Sequence, residues 1–201
     1  MRRSPRTRFA AALVVAGGVL LLTPPDASAR VFLSQQEALE HAFPPPHSVE
    51  RRTLFLSEEQ ARQISASASA PVDHRVVSYY VGLVGERADG YAYFDTHLVR
   101  TLPETILVLL SAEGRIVRIE ILSFEEPEDY LPTDRWLAQF PGHGSGDDLS
   151  PNRGIRSLTG ATLSARAITE AARRVLAIHR LLVAPAGSGR PHTAPEKSDR
   201  P

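Results

Sequence analysis

The chain has 201 residues, 42% of them hydrophobic and 23% charged, and a formal charge of zero. That is the composition of an ordinary globular domain, and it lacks the basic surplus of a nucleic-acid binder. With no cysteine and a single lysine, Lys197, the chain excludes disulfides, thiolate catalysis, cysteine zinc sites, iron–sulfur ligation, c-type haem attachment, and Schiff-base or P-loop chemistry in its folded part. Redox activity, if present, must come from a bound cofactor.

Residues 1–29 read as a secretory signal. Arg2, Arg3, Arg6 and Arg8 precede an apolar run from Phe9 to Leu22, and Ala27 and Ala29 form a small-x-small end. The apolar run is short against the roughly 20 residues needed to span a bilayer, so a cleaved signal is expected rather than an anchor. Cleavage before Arg30 removes more basic than acidic residues and leaves a mildly acidic mature chain. The expected location is the periplasm or the outer face of the cytoplasmic membrane, reached by Sec export.

The remaining elements follow in order. Ser34-Gln-Gln-Glu37 is a capping box opening a short helix to about Phe43, which Pro44-Pro-Pro46 ends. Arg52–Leu56 predicts a short strand, and a second capping box, Ser57-Glu-Glu-Gln60, opens a helix to about Ala68. Four β-type runs come next: Val76–Val84, Tyr91–Arg100, Thr105–Ser111 and Arg115–Phe124. Turn signals at Ala88-Asp89-Gly90, Leu102-Pro103 and Glu113-Gly114 separate them, so they should pair as antiparallel neighbours. Thr133–Phe140 predicts a short helix, Gly142–Asn152 a polar loop, and 164–182 the strongest amphipathic helix, with Ile168, Ala171, Ala172, Val175, Ile178 and Leu182 on one face. The fold class is α+β, a mainly antiparallel sheet flanked by helices. The expected organisation is a signal at 1–29, an N-terminal helical segment at 30–72, a main domain at 73–183 and a disordered Ala-Pro-Gly-Ser tail at 184–201.

The chemistry-bearing stretch is Ile155-Arg-Ser-Leu-Thr-Gly-Ala-Thr-Leu-Ser-Ala-Arg-Ala167. Thr159-Gly160-Ala161-Thr162 is a small-residue turn that delivers backbone N–H groups into a helix start, where unpaired amides and the helix dipole favour a phosphate. Gly160 and Ala161 have little bulk to hold a phosphate away, and Thr162 and Ser164 add hydroxyls. The same residues also fit a plain N-cap, with Ser164 or Thr162 as the cap. Spacing by itself leaves both readings open and leans to the cap.

The segment resembles the attachment motif of the FMN-binding domain family, which includes the peripheral flavin subunits of the Rnf and sodium-pumping NADH:quinone reductase complexes. Thr159-Gly160-Ala161-Thr162 matches the family's Ser/Thr-Gly-Ala-Thr. The exported context, the strand meander and the stretch Glu125–Phe140 resemble small exported members, and the likeness covers roughly 75–182. The resemblance implies FMN as cofactor, Thr162 as acceptor of a flavin phosphoester, and Leu158, Thr159, Gly160, Ala161, Leu163 and Ser164 around it. It also implies an electron carrier rather than a stand-alone enzyme, loaded by an exported flavin transferase and exchanging electrons with membrane-bound or haem-containing redox proteins. The alternative is a periplasmic binding or assembly module that has lost covalent flavin. Arg156 stands where the family often has Asp; it bears on recognition by the transferase, and its guanidinium also suits a phosphate.

Other candidates carry less. The histidines at 41, 47, 74, 97, 143, 179 and 192 lack metal-ligand spacing, so surface or satisfied roles are expected. Glu125, Glu126, Glu128 and Asp129 read as a solvated acidic loop. Trp136 and Phe140, four apart, read as core, with packing beside a flavin ring as the other option. Tyr79, Tyr80, Tyr91 and Tyr93 read as sheet residues.

Overall fold

The computed structural model describes residues 30–150 and 153–184. Residues 1–29, expected to form a signal, and residues 185–201, which include His192 and most of the expected tail, lie outside the described residues. No helix among those described is long and apolar enough to cross a membrane.

Six strands form one antiparallel sheet: β1 (Arg30–Val31), β2 (Ser48–Phe55), β3 (Val76–Val84), β4 (Arg87–Leu98), β5 (Pro103–Ser111) and β6 (Ile116–Phe124). Their order is β1-β6-β5-β4-β3-β2, a meander with β1 added at the β6 edge. Alternation along the strands divides the core between the two faces. Tyr91, Tyr93, Ile106, Val108 and Leu110 face the main core, built with α2 (Glu58–Ala68) and α4 (Thr162–Ile178). Ala92, Leu107, Leu109 and Leu122 face the smaller core under α1 (Gln35–Ala42), where Ala38 and Phe43 bury.

Local signals act where expected. Ser34 and Ser57 each form a complete capping box, the side chain accepting from the N–H of Glu37 and Gln60 respectively. Thr133 caps α3 (Asp134–Leu137), accepting from the Trp136 N–H at 3.3 Å. The expected Arg52–Leu56 strand is longer, because it pairs along the whole of β3.

Several expectations are corrected. The turn predicted at Ala88-Asp89-Gly90 lies instead at Gly85-Glu86, with Val84 paired to Arg87 and Gly85 at φ +62°. Gly90 is inside β4, opposite Gly82. A Cβ on Gly82 would fall 2.2 Å from Phe43 Cδ1, and one on Gly90 would fall 2.9 Å from the Leu110 carbonyl oxygen and 3.2 Å from Phe43 Cε1. This glycine pair makes room for the Phe43 ring rather than marking a turn. The broken alternation of β6 has a similar tertiary cause. Its register with β5 skips Val117 and Leu122, and each skip changes which face the following residues take.

The acidic loop is also more than a solvated run. Glu126 is buried, and its Oε1 accepts from the backbone N–H of Arg100, Thr101 and Leu102 at 3.2, 2.8 and 3.0 Å. Those bonds hold its carboxyl below the usual carboxylate range, the Thr101 N–H contributing most. Glu128 pairs with Arg30, tying β1 to the short 3₁₀ turn Glu128–Tyr130.

Candidate cofactor site

Helix α4 begins at Thr162, with Ala161 as N-cap and no side-chain cap. Neither Ser164 nor Thr162 caps it, so the simple capping reading is overturned. The first intrahelical bond runs from the Ala165 N–H to the Ala161 carbonyl at 3.0 Å. The amides of Thr162, Leu163 and Ser164 therefore have no acceptor within the helix. No acidic side chain lies in the first turn to answer the positive end of the dipole.

The turn before it bends on Gly160, at φ +89° with open space where a Cβ would point. Glycine is needed there for the left-handed backbone, not for close approach. Ala161 turns its methyl into the core. Thr162 Oγ1 donates to the Leu158 carbonyl at 3.0 Å, closing the turn while keeping the hydroxyl oxygen exposed. Ser164 was expected to face a phosphate. It is instead fully buried and donates its hydroxyl to the Tyr130 carbonyl at 2.6 Å, anchoring the 3₁₀ turn to α4. Thr159 is exposed, and Leu163 faces outward at 47% exposure.

A cavity of about 280 Å³ opens beside this turn, lined by Leu158 and Thr162 together with Trp136, Arg156, Arg166 and Thr169. Its walls come from α3, α4 and the segment between them. Trp136 packs edge-on against Phe140, as expected for core, yet it also lines the cavity. Its indole Nε1–H donates to the Arg156 carbonyl at 2.7 Å, and the Arg156 N–H donates to Gln139 Oε1 at 2.9 Å. The main chain of Arg156 is thus held on both sides, by Trp136 of α3 and by Gln139 just beyond it. Two arginines and no carboxylate line the cavity. Arg166 escaped the sequence reading, although its place four residues after Thr162 puts it on the same helix face.

The chain matches the FMN-binding domain family over residues 103–177. This segment is an FMN-binding domain. No curated protein matches the chain. The domain spans β5 through α4, so β3 and β4, included in the expected likeness, lie outside the match while pairing into the same sheet. FMN is the cofactor the family indicates. The residues present fit it: an apolar wall with an indole for an aromatic ring, and unpaired amides with two guanidinium groups for a phosphate. Thr162 and Leu158 are brought to the cavity, while the side chains of Ala161 and Ser164 are buried in the scaffold.

A second polar assembly lies on another flank of α4, at a larger cavity of about 390 Å³ lined by His97, Leu98, Pro103, Ala167, Glu170 and Arg174 among others. Arg174 makes a bidentate contact with Asp95, both Asp95 oxygens 2.8 Å from Nη2 and one 3.1 Å from Nε. Asp95 Oδ1 lies 2.9 Å from His97 Nδ1, and His97 Nε2 lies 3.1 Å from Glu104 Oε2. Glu104 is fully buried, and burial raises its pKa. Burial pulls the His97 pKa down, but the hydrogen bonds to Asp95 and Glu104 outweigh it and lift it to about 9. Asp95 is likewise opposed by burial and drawn below the usual range by His97 and Arg174.

Histidine roles follow the satisfied reading at three positions. His97 is held as above, His47 pairs with Asp89 at 2.9 Å, and His179 Nδ1 lies 3.0 Å from the Tyr93 hydroxyl in the core. No group of three or more metal-ligating side chains forms a candidate metal site among the described residues.

Proposed function

We propose that this protein is an exported electron carrier with FMN attached through a phosphoester to Thr162. The observation that carries the reading is the Thr162 hydroxyl at the wall of the indole- and arginine-lined cavity, at the unpaired start of α4 within the FMN-binding domain. Its donation to the Leu158 carbonyl leaves oxygen lone pairs free for bonding to phosphorus. In loading by an exported flavin transferase, Thr162 Oγ bonds to the FMN phosphorus of FAD. The pyrophosphate P–O bond breaks, AMP leaves, and the hydroxyl proton passes to solvent.

Bound FMN supplies the one- and two-electron chemistry. The chain supplies position: the amides of Thr162, Leu163 and Ser164 face the phosphodiester charge, and Trp136 gives an apolar surface for the ring. Outside the membrane a tether also prevents loss of cofactor by dilution. Donor and acceptor are proposed to be membrane-bound or haem-containing proteins, as in the Rnf and sodium-pumping reductase assemblies whose subunits carry the motif.

One measurement reads export and attachment together. Intact mass of the chain recovered from the periplasm should begin at Arg30 and include one flavin adduct, with yellow colour and fluorescence that survive SDS electrophoresis. Thr162→Ala should remove the adduct and leave the N-terminus unchanged. An adduct on Thr159 or Ser164, or a chain retaining residues 1–29, would contradict the respective part. A second reading, a binding or assembly module without covalent flavin, is favoured by Arg156 in place of the family's Asp. A colourless periplasmic chain after transferase co-expression would select it.

A further inference from the structure

Resting on the flavin reading above, we propose that Arg156 and Arg166 form a phosphate clamp, letting the cavity beside Thr162 hold FMN without a covalent bond and reject riboflavin. Among the described residues, the cavity's charged lining consists of these two guanidinium groups, with no carboxylate in its walls. Two guanidinium groups, one of them without an ion pair among the described residues, beside a helix start lacking acidic side chains favour an anion.

The two arginines are delivered differently. Arg156 is placed through its main chain, whose carbonyl accepts from Trp136 Nε1 and whose N–H donates to Gln139. Among the described residues its side chain makes no ion pair. Arg166 comes from α4, one turn beyond Thr162. Its Nε donates to Glu170 Oε1 at 2.8 Å, which leaves the four Nη hydrogens to bind a ligand. Glu170 itself lines the cavity on the other flank. Two hydroxyls nearby are committed to the scaffold: Thr169 donates to the Ala165 carbonyl and Ser164 to that of Tyr130.

A phosphate monoester carries between one and two negative charges at neutral pH, and riboflavin carries none. Planar guanidinium groups match phosphate oxygens in pairs. The clamp therefore acts before or without the phosphoester, and it makes the phosphate the specificity determinant.

The test uses the full-length Thr162→Ala chain, titrated with FMN and with riboflavin by flavin fluorescence, alone and combined with Arg156→Gln or Arg166→Gln. FMN should bind at least about tenfold tighter than riboflavin, and each Gln should remove about tenfold of that preference, the scale of a charge-assisted hydrogen bond. Added salt should weaken FMN binding and leave riboflavin unchanged. Equal affinities, or a preference unaffected by both Gln substitutions, would overturn the clamp and leave the flavin reading intact. So would a Thr162→Ala chain that binds neither flavin while the unaltered chain carries SDS-resistant FMN. If the unaltered chain carries no flavin and Thr162→Ala binds none, the flavin reading fails and the clamp with it.

Discussion

Ser164 and Thr162 stand two positions apart, carry the same functional group and have opposite duties. Ser164 is enclosed, and its hydroxyl satisfies the main-chain carbonyl of half-buried Tyr130. Thr162 is exposed, and its bond to Leu158 exchanges readily with solvent. Ser164→Ala should therefore destabilise the chain by about 1–3 kcal/mol, the cost of leaving a partly buried acceptor without its partner. Thr162→Ala should cost about 1 kcal/mol or less while abolishing covalent flavin. Thermal denaturation with flavin content measured in parallel separates the two. A large loss of stability in Thr162→Ala alone would mean the hydroxyl is structural. The sequence supplied both hydroxyls but not their directions. Those depend on the Tyr130 carbonyl, far away in the chain and brought to α4 by the fold.

At the level of elements, the two faces of the sheet make different demands. The main face takes two helices over a broad set of branched and aromatic side chains. The other takes the short α1, and Phe43 at its C-terminal end needs the space left by Gly82 and Gly90. Gly82→Ala should cost about 1–3 kcal/mol by overpacking, because a Cβ would meet the Phe43 ring at 2.2 Å. Adding Phe43→Leu should recover part of that loss, a non-additivity expected only for touching groups. Chemical denaturation of both single variants and the double variant checks it; strictly additive losses would show that the ring is not the obstacle.

For the molecule as a whole, two histidines with opposite shifts, half-buried His97 and buried His179, shape the pH dependence of stability. His97 titrates near 9 in the folded chain against about 6.5 unfolded. Its contribution is complete below the unfolded value and is lost as pH rises from 6.5 through 9. Burial lowers His179 to about 4, so the fold favours its neutral ring. That contribution is complete above 6.5 and is lost as pH falls towards 4. Each shift corresponds to about 3 kcal/mol. Stability should peak near pH 6.5. His97→Gln should flatten the alkaline limb and His179→Gln the acid limb, read from melting temperature against pH. A profile whose alkaline limb survives His97→Gln would remove the network as its cause.

Much of the short-range chemistry is written in the chain, the displaced turn before Gly90 and the uncapped start of α4 excepted. Caps at Ser34, Ser57 and Thr133, the apolar stripe of α4 and the left-handed bend at Gly160 involve residues within a few positions of one another, where backbone geometry leaves little choice. The Thr-Gly-Ala-Thr turn was legible for the same reason. The partners of Arg156, the mate of Arg166 across the cavity, the Gly82–Gly90 space under Phe43 and the Asp95–His97–Glu104–Arg174 network were not. Their members are separated by up to dozens of residues, and their meeting depends on strand register, on the skips at Val117 and Leu122, and on the way α4 lies across the sheet. Burial and charge pairing then give those side chains properties that no local pattern contains.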